Sequence, residues 1–278
     1  MKKSPAKLAT LQNLHDQLRI RVLACDYLQI DRTWNVRDVR SPFWRLYVSG
    51  RDGAGVELPG GLYRLTRDRI HLIPAWVSFS CRCDRPVQHL YIHFELPGLP
   101  GAMSREMFDR PVTLRADALA EGLCARLAAS VAGGEQTRIV ALAKAAVYLS
   151  LGMLLEQLQV RWTKRINHIA DQTGPIWPAM QYIESHPGER IDNERLAELC
   201  DLSCDHFARR FRQIVGQTPA RYLLERRIAL AAQELIFTEH RIGYIARQCG
   251  FTNRFHFTRV FTSQMGVPPA TYRRRTHV

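Results

Sequence analysis

The sequence predicts an α+β chain: an N-terminal antiparallel β domain, a sandwich or a small barrel, then a helical segment and an all-helical C-terminal domain. Three observations carry this reading. Short apolar runs broken by turn residues fill residues 20–95, Ala- and Leu-rich helical spacing takes over from Leu114, and the C-terminal part repeats itself at an offset of 49 to 50 residues. A length of 278 residues is ample for two ordinary cores.

The β domain is read from Arg21–Tyr27, Phe43–Val48, Leu62–Leu65, Arg69–Ile73, Trp76–Cys81 and His89–Phe94, separated by Gly50-Arg51-Asp52-Gly53, Pro59-Gly60-Gly61, Pro74 and Asp84-Arg85-Pro86. The clearest strand is His89–Phe94, where Leu90, Ile92 and Phe94 share one face and His89, Tyr91 and His93 the other. Those two histidines lie about 13 Å apart along an extended strand, too far to share one ion, so no metal is expected. With Trp44 and Tyr47 they are candidates to line either an ordinary core or a small-molecule cavity: Trp44, Tyr47, His89, Tyr91 and His93 form the candidate effector set.

Helices are expected over Ala118–Ala132 and Val140–Leu158. The second is so apolar that the β domain, its neighbour or another subunit must cover it, which makes residues 140–158 a candidate homodimer interface. No run reaches the roughly 18 apolar residues of a bilayer span, and Met1-Lys2-Lys3-Ser4-Pro5 does not lead into a signal peptide. A soluble cytoplasmic protein with seven reduced cysteines is the expectation. Residues Trp162–Pro178, with Lys164, Arg165, Gly174 and two prolines, read as a connector.

The internal repeat is the strongest signal. Leu196-Ala197-x-x-Cys200-x-Leu202-Ser203 recurs as Ile245-Ala246-x-x-Cys249-Gly250-Phe251-Thr252, offset by 49. Phe207-x-Arg209-x-Phe211 recurs as Phe257-x-Arg259-x-Phe261, and Gly216-x-x-Pro219-x-x-Tyr222 as Gly266-x-x-Pro269-x-x-Tyr272, offset by 50. Each copy reads as a short helix, a turn capped by Ser203 or Thr252, and a second helix whose aromatics, four apart, are buried. That is helix-turn-helix architecture, in which the second helix can enter a major groove. Thr218 and Pro219 start a linking helix whose Arg226 and Arg227 are candidates to reach phosphates.

The net charge of +13 favours a polyanionic partner but does not locate it. Residues 171–278 hold 15 Arg, no Lys and 11 acidic residues, net +4, whereas residues 1–170 carry +9. Local placement decides instead. Asp205, His206, Ala208, Arg209 and Arg212 in the first copy, and Asn253, Arg254, His256 and Arg259 in the second, avoid the buried aromatic face to varying degree. Arg can bind guanine bidentately, Asn can pair with adenine, and Asp can accept from cytosine. Among the arginines of these helices only Arg209 repeats, as Arg259.

Over residues 176–275 these motifs, ending in Tyr272-Arg273, resemble the AraC family of bacterial transcription regulators. The resemblance implies base-facing places for Asp205, Ala208 and Arg209, and for Arg254, His256 and Arg259. More loosely, residues 15–160 resemble the family's cupin-type sensory barrel and dimerisation helices, which implies a small effector; no cofactor is expected. The implied fold is a cupin-like β-barrel with dimerisation helices over residues 1–162, a linker at 163–177, and a DNA-binding domain of two helix-turn-helix units over 178–278. The metal-binding His-x-His with downstream Glu and His is absent around Leu72–Trp76, which argues against an enzyme. The implied function is an effector-controlled transcription regulator, activator or repressor, acting on double-stranded promoter DNA and, if an activator, on RNA polymerase. The alternatives are an effector-independent DNA-binding protein and a cupin enzyme fused to a DNA-binding module.

Overall fold

The computed structural model describes residues 19–97, 99, 101–158 and 174–276. The chain divides into two compact units. One holds Ile20–Glu95, Ser104–Gln157 and Met265–Val278, and the other includes Leu158–Gln264.

Among the described residues nine strands form the β part: β1 Arg21–Ile30, β2 Val39–Arg40, β3 Trp44–Ser49, β4 Ala54–Leu58, β5 Gly61–Leu65, β6 Arg69–Ile73, β7 Ser78–Cys83, β8 Val87–Glu95 and β9 Val112–Arg115. Five pair in the order β1-β8-β3-β6-β9 and four in the order β2-β7-β4-β5. All these pairs are antiparallel. The cupin-like β-barrel is therefore incorrect: two open sheets lie where a closed one was expected. Closure would require the ladder to continue from β1 or β9 into β2 or β5, and it stops at each of them. Tyr63 of β5 and Thr113 of β9 meet by a side-chain hydrogen bond, which does not make a ladder. The sheets share a core of Ile30, Tyr47, Ile73 and Val87 from the first with Val56, Leu65, Phe79, Cys81 and Cys83 from the second.

After a short helix, α1 (Gly101–Met107), come α2 (Ala118–Ala132) and α3 (Gln136–Gln157). Asp117 caps α2 by accepting from the backbone N–H of Ala120. Both helices pack on each other and on β1, so helices cover the flank where a barrel would have continued. Helix α3 is long and apolar enough to cross a membrane by length and composition, a feature the sequence reading did not anticipate. It buries Ile139, Ala143, Ala146, Val147, Ser150, Leu151 and Leu154 within this unit. Val140, Tyr148 and Leu155 fall on its outer side and are exposed.

The helical unit contains α4 (Trp177–Ser185), α5 (Asn193–Glu198), α6 (Cys204–Val215), α7 (Pro219–Phe237), α8 (Ile242–Gln248) and α9 (Arg254–Met265). The candidate connector lies mostly outside the described residues; from Gly174 it is a 3-10 turn leading into α4. Ala179, Met180 and Ile183 of α4 pack with Leu196, Phe207, Phe211, Val215 and Tyr222 in the core of the first head. Thr218 accepts from the N–H of Arg221 and Pro219 opens α7, as expected for a helix start. At 1.5 Å per residue α7 is a rod of about 28 Å. The last helix, α10 (Pro269–Thr276), groups with the sheet unit, where the Tyr272 hydroxyl donates to Ser41 Oγ at 3.3 Å and Arg275 pairs with Asp38 at 3.4 Å.

Candidate nucleic-acid interface

The two helix-turn-helix copies share two backbone hydrogen bonds at the turn, those of Asp201 and Leu202 matching those of Gly250 and Phe251. The N–H groups of Cys200, Asp201 and Leu202 donate to the carbonyls of Ala197, Glu198 and Ala197; in the second copy Gly250 and Phe251 donate to Arg247 and Ala246. The residue that reverses the chain is left-handed in both, Asp201 at φ 53° and Gly250 at φ 76°. Helices α6 and α9 then run for 12 residues each at an offset of 50, and both end on a left-handed glycine, Gly216 or Gly266.

Burial of Phe207 and Phe211, and of Phe257 and Phe261, fixes the rotation of each helix and turns the opposite face outward. Asp205, His206, Arg209 and Arg212 are exposed on α6 with Ala208 half-buried, and Asn253, Arg254, His256 and Arg259 are exposed on or just before α9. Arg209 and Arg259 occupy the same place in their helices, sixth of twelve.

The caps differ from the expectation. Ser203 precedes α6 without a side-chain cap bond, while α9 is capped by Asn253, not Thr252, its Oδ1 accepting from the N–H of His256 at 2.8 Å. The extra residue of the second copy is thus the cap, and the amide oxygen of Asn253 is engaged within the helix. Arg226 and Arg227 also differ. Arg226 pairs with Glu184 at 2.9 Å with both side chains largely buried, and Arg227 donates to the carbonyls of Pro187 (2.9 Å) and Glu189 (2.7 Å). Both bind protein groups, where phosphates were expected. The residue the sequence reading passed over is Phe255, 88% exposed in the first turn of α9. Its place between Arg254 and His256, four before Arg259, was the available signal.

The candidate effector residues divide between the two faces of the first sheet. Register pairs Tyr47 with Tyr91 and Ser49 with His89, so Tyr47, His89, Tyr91 and His93 share one face. Trp44 pairs with Phe94 on the reverse, stacked on it at 6.2 Å and set edge-on to Phe108 at 5.0 Å. Tyr47, His89 and Trp34 form one ring cluster, with centroids 4.8 to 6.0 Å apart. Burial pushes His89 down to about 3 and His93 well below the ordinary value of 6.5, so both are neutral. His89 Nε2 and His93 Nδ1 are buried without a hydrogen-bond partner. Arg45, opposite His93 in the ladder, was also passed over, although alternation puts it on the face of Tyr47. It is 4% exposed, donates to Ser41 Oγ, and lies over the rings of Phe43 and Phe79 at 4.7 and 5.2 Å. Among the described residues no three His, Cys, Asp or Glu side chains are placed to hold a metal ion.

Two matched copies of a buttressed, outward-facing second helix define a helix-turn-helix DNA-binding protein. A family model described as a helix-turn-helix domain matches residues 196–275. Over 100 residues the chain is 32% identical to the regulatory protein SoxS of Salmonella typhimurium, covering 36% of this chain and 94% of that one. It belongs to the AraC family. The MmsAB operon regulatory protein of Pseudomonas aeruginosa is 34% identical over 94 residues, 34% of this chain and 31% of that one. The chain thus spans only about a third of the first curated relatives it matches. The crystal structure of ToxT from Vibrio cholerae aligns over 91% of this chain and 97% of its own, with a TM-score of 0.52 and 13% identity, a likeness of fold alone.

Proposed function

We propose that the protein is a cytoplasmic transcription regulator that binds promoter DNA through α6 and α9. The carrying observation is that Arg209 and Arg259 are exposed at the same place in two matched helices, which suits two copies of one reading group. Asp205, His206, Ala208 and Arg212 with the first, and Arg254 and His256 with the second, complete the faces, while Asn253 holds the helix start. Replacing Arg259 or Arg209 by Ala weakens binding to a selected operator by about 1–3 kcal/mol and relaxes the preference at one base pair each. Titration at fixed salt measures it; unchanged affinity and preference in both variants would remove the assignment.

The sheet unit is the proposed sensor. Support comes from the polar face of Arg45, Tyr47, His89, Tyr91 and His93, whose unpartnered buried nitrogens suit a hydrogen-bonding effector better than an inert core. Trp44, on the reverse face, acts through packing. Effector occupancy then shifts the population competent for DNA. Genome-wide mapping of bound sites, repeated with candidate metabolites, tests this; identical maps under all of them favour the effector-independent reading. The exposed stripe Val140, Tyr148 and Leu155 on α3 fits a homodimer through residues 140–158, and an activating role would add RNA polymerase as a partner.

A further inference from the structure

Among the described residues Phe255 is the most exposed large apolar side chain, at 88%, and it stands on α9 itself. It precedes Arg259 by four residues, so the two project from one face a helical turn apart. Arg254 and His256 flank it, both exposed. The offset of 50 sets it where the first head carries Asp205. An aromatic ring delivered into a major groove meets polar edges almost everywhere, and against those it displaces water without returning a hydrogen bond. The apolar feature in that groove is the C5-methyl group of thymine. The basic neighbours Arg254 and Arg259 supply the complementary charge for the surrounding phosphates and for a guanine edge.

We propose that Phe255 reads the methyl group of a thymine beneath the second head. This rests on α6 and α9 being the DNA readers and adds the identity of one base. A helical turn of 5.4 Å against a base step of 3.4 Å sets that thymine one or two base pairs from the base contacted by Arg259. At the same place Asp205 presents an acceptor suited to a cytosine amino group and offers nothing to a methyl. The two half-sites therefore differ at this position, and the operator is not a direct repeat.

The test uses the purified full chain and selection from random duplexes, followed by titration on the selected sequence and on one carrying deoxyuridine for the thymine, which deletes only the methyl. The wild type enriches thymine at the stated position and binds the deoxyuridine duplex roughly fourfold more weakly. Phe255→Ala binds both duplexes alike, keeps the guanine preference, and loses the thymine. Because the ring is almost wholly exposed, its removal leaves the fold in place and the loss is read at the DNA. A motif that keeps its thymine in Phe255→Ala overturns the proposal alone. So does equal wild-type affinity for the two duplexes, including the case where Phe255→Ala weakens both, since the ring would then wedge between base pairs without reading one. Failure to enrich any sequence removes the reader assignment beneath it and the proposal with it.

Discussion

The first and second heads share a core pattern and a turn geometry, yet each is secured by different groups. In the first, Tyr222 is buried against Phe211, its hydroxyl donates to Glu184 Oε1 at 2.6 Å, and Glu184 in turn pairs with Arg226. The matching Tyr272 lies on α10, which groups with the sheet unit, and donates to Ser41 within that unit. The first head turns through Asp201, exposed at its left-handed position, whereas the second turns through Gly250, where an added Cβ would lie 2.7 Å from the carbonyl oxygen of Gly188. The inward aromatics that make each helix pair are the same in both copies, while the residues that hold the tyrosine and the turn differ.

Substitutions at matched places sharpen this contrast. Gly250→Ala forces a side chain into a left-handed turn and against backbone, and should cost about 3 kcal/mol or more, whereas Asp201→Gly is neutral or mildly stabilising. Urea unfolding measures both, and equal effects would mean that the two turns are not differently constrained. Tyr222→Phe removes one of the two buried donors to the Glu184 carboxylate, leaving Arg226, and should cost about 1.5–3 kcal/mol, against about 0.5–1.5 for Tyr272→Phe, whose acceptor is a neutral hydroxyl. A larger loss at Tyr272, read from the same denaturation curves, would reverse the comparison. The smallest difference lies at the caps: Asn253→Ala should cost about 1 kcal/mol and Ser203→Ala a few tenths, because only the Asn253 side chain bonds the helix. Helicity and thermal midpoint of the two variants check it.

What was legible in the sequence follows from what periodicity encodes. The buried pairs Phe207/Phe211 and Phe257/Phe261, the Thr218-Pro219 helix start and the alternation of His89–Phe94 are local, and each is found where the pattern puts it. Strands β2, β4 and β9 escaped: β4 because Ala54-Gly55 reads as a continuation of a turn, β2 because it has two residues, and β9 because helical spacing was expected from Leu114, which instead pairs with Ile70 as the end of the sheet. Barrel closure escaped for a different reason: whether β1 and β9 find further partners depends on ladder hydrogen bonds between distant segments, and no residue pattern within a strand records it. The inner and outer faces of β3, by contrast, were available by counting, since Arg45 and Tyr47 alternate with Trp44 and Leu46. Arg226 and Arg227 look alike in sequence to surface arginines; only the tertiary positions of Glu184, Pro187 and Glu189 show that they are occupied.

Arg227 carries one more consequence. By holding the Pro187–Glu189 loop with two hydrogen bonds while its guanidinium lies against the site of Gly250, it fastens the turn of the second head to the segment that buttresses the first. The heads then act as one ruler with a set length. A base pair inserted between the half-sites would shift one of them by about 3.4 Å and rotate it by roughly 35° about the duplex axis. On the proposed reading of DNA by both heads, a ruler of this kind must bend the DNA or release one head, and the side chain that sets the operator spacing is one whose hydrogen bonds go to protein carbonyls.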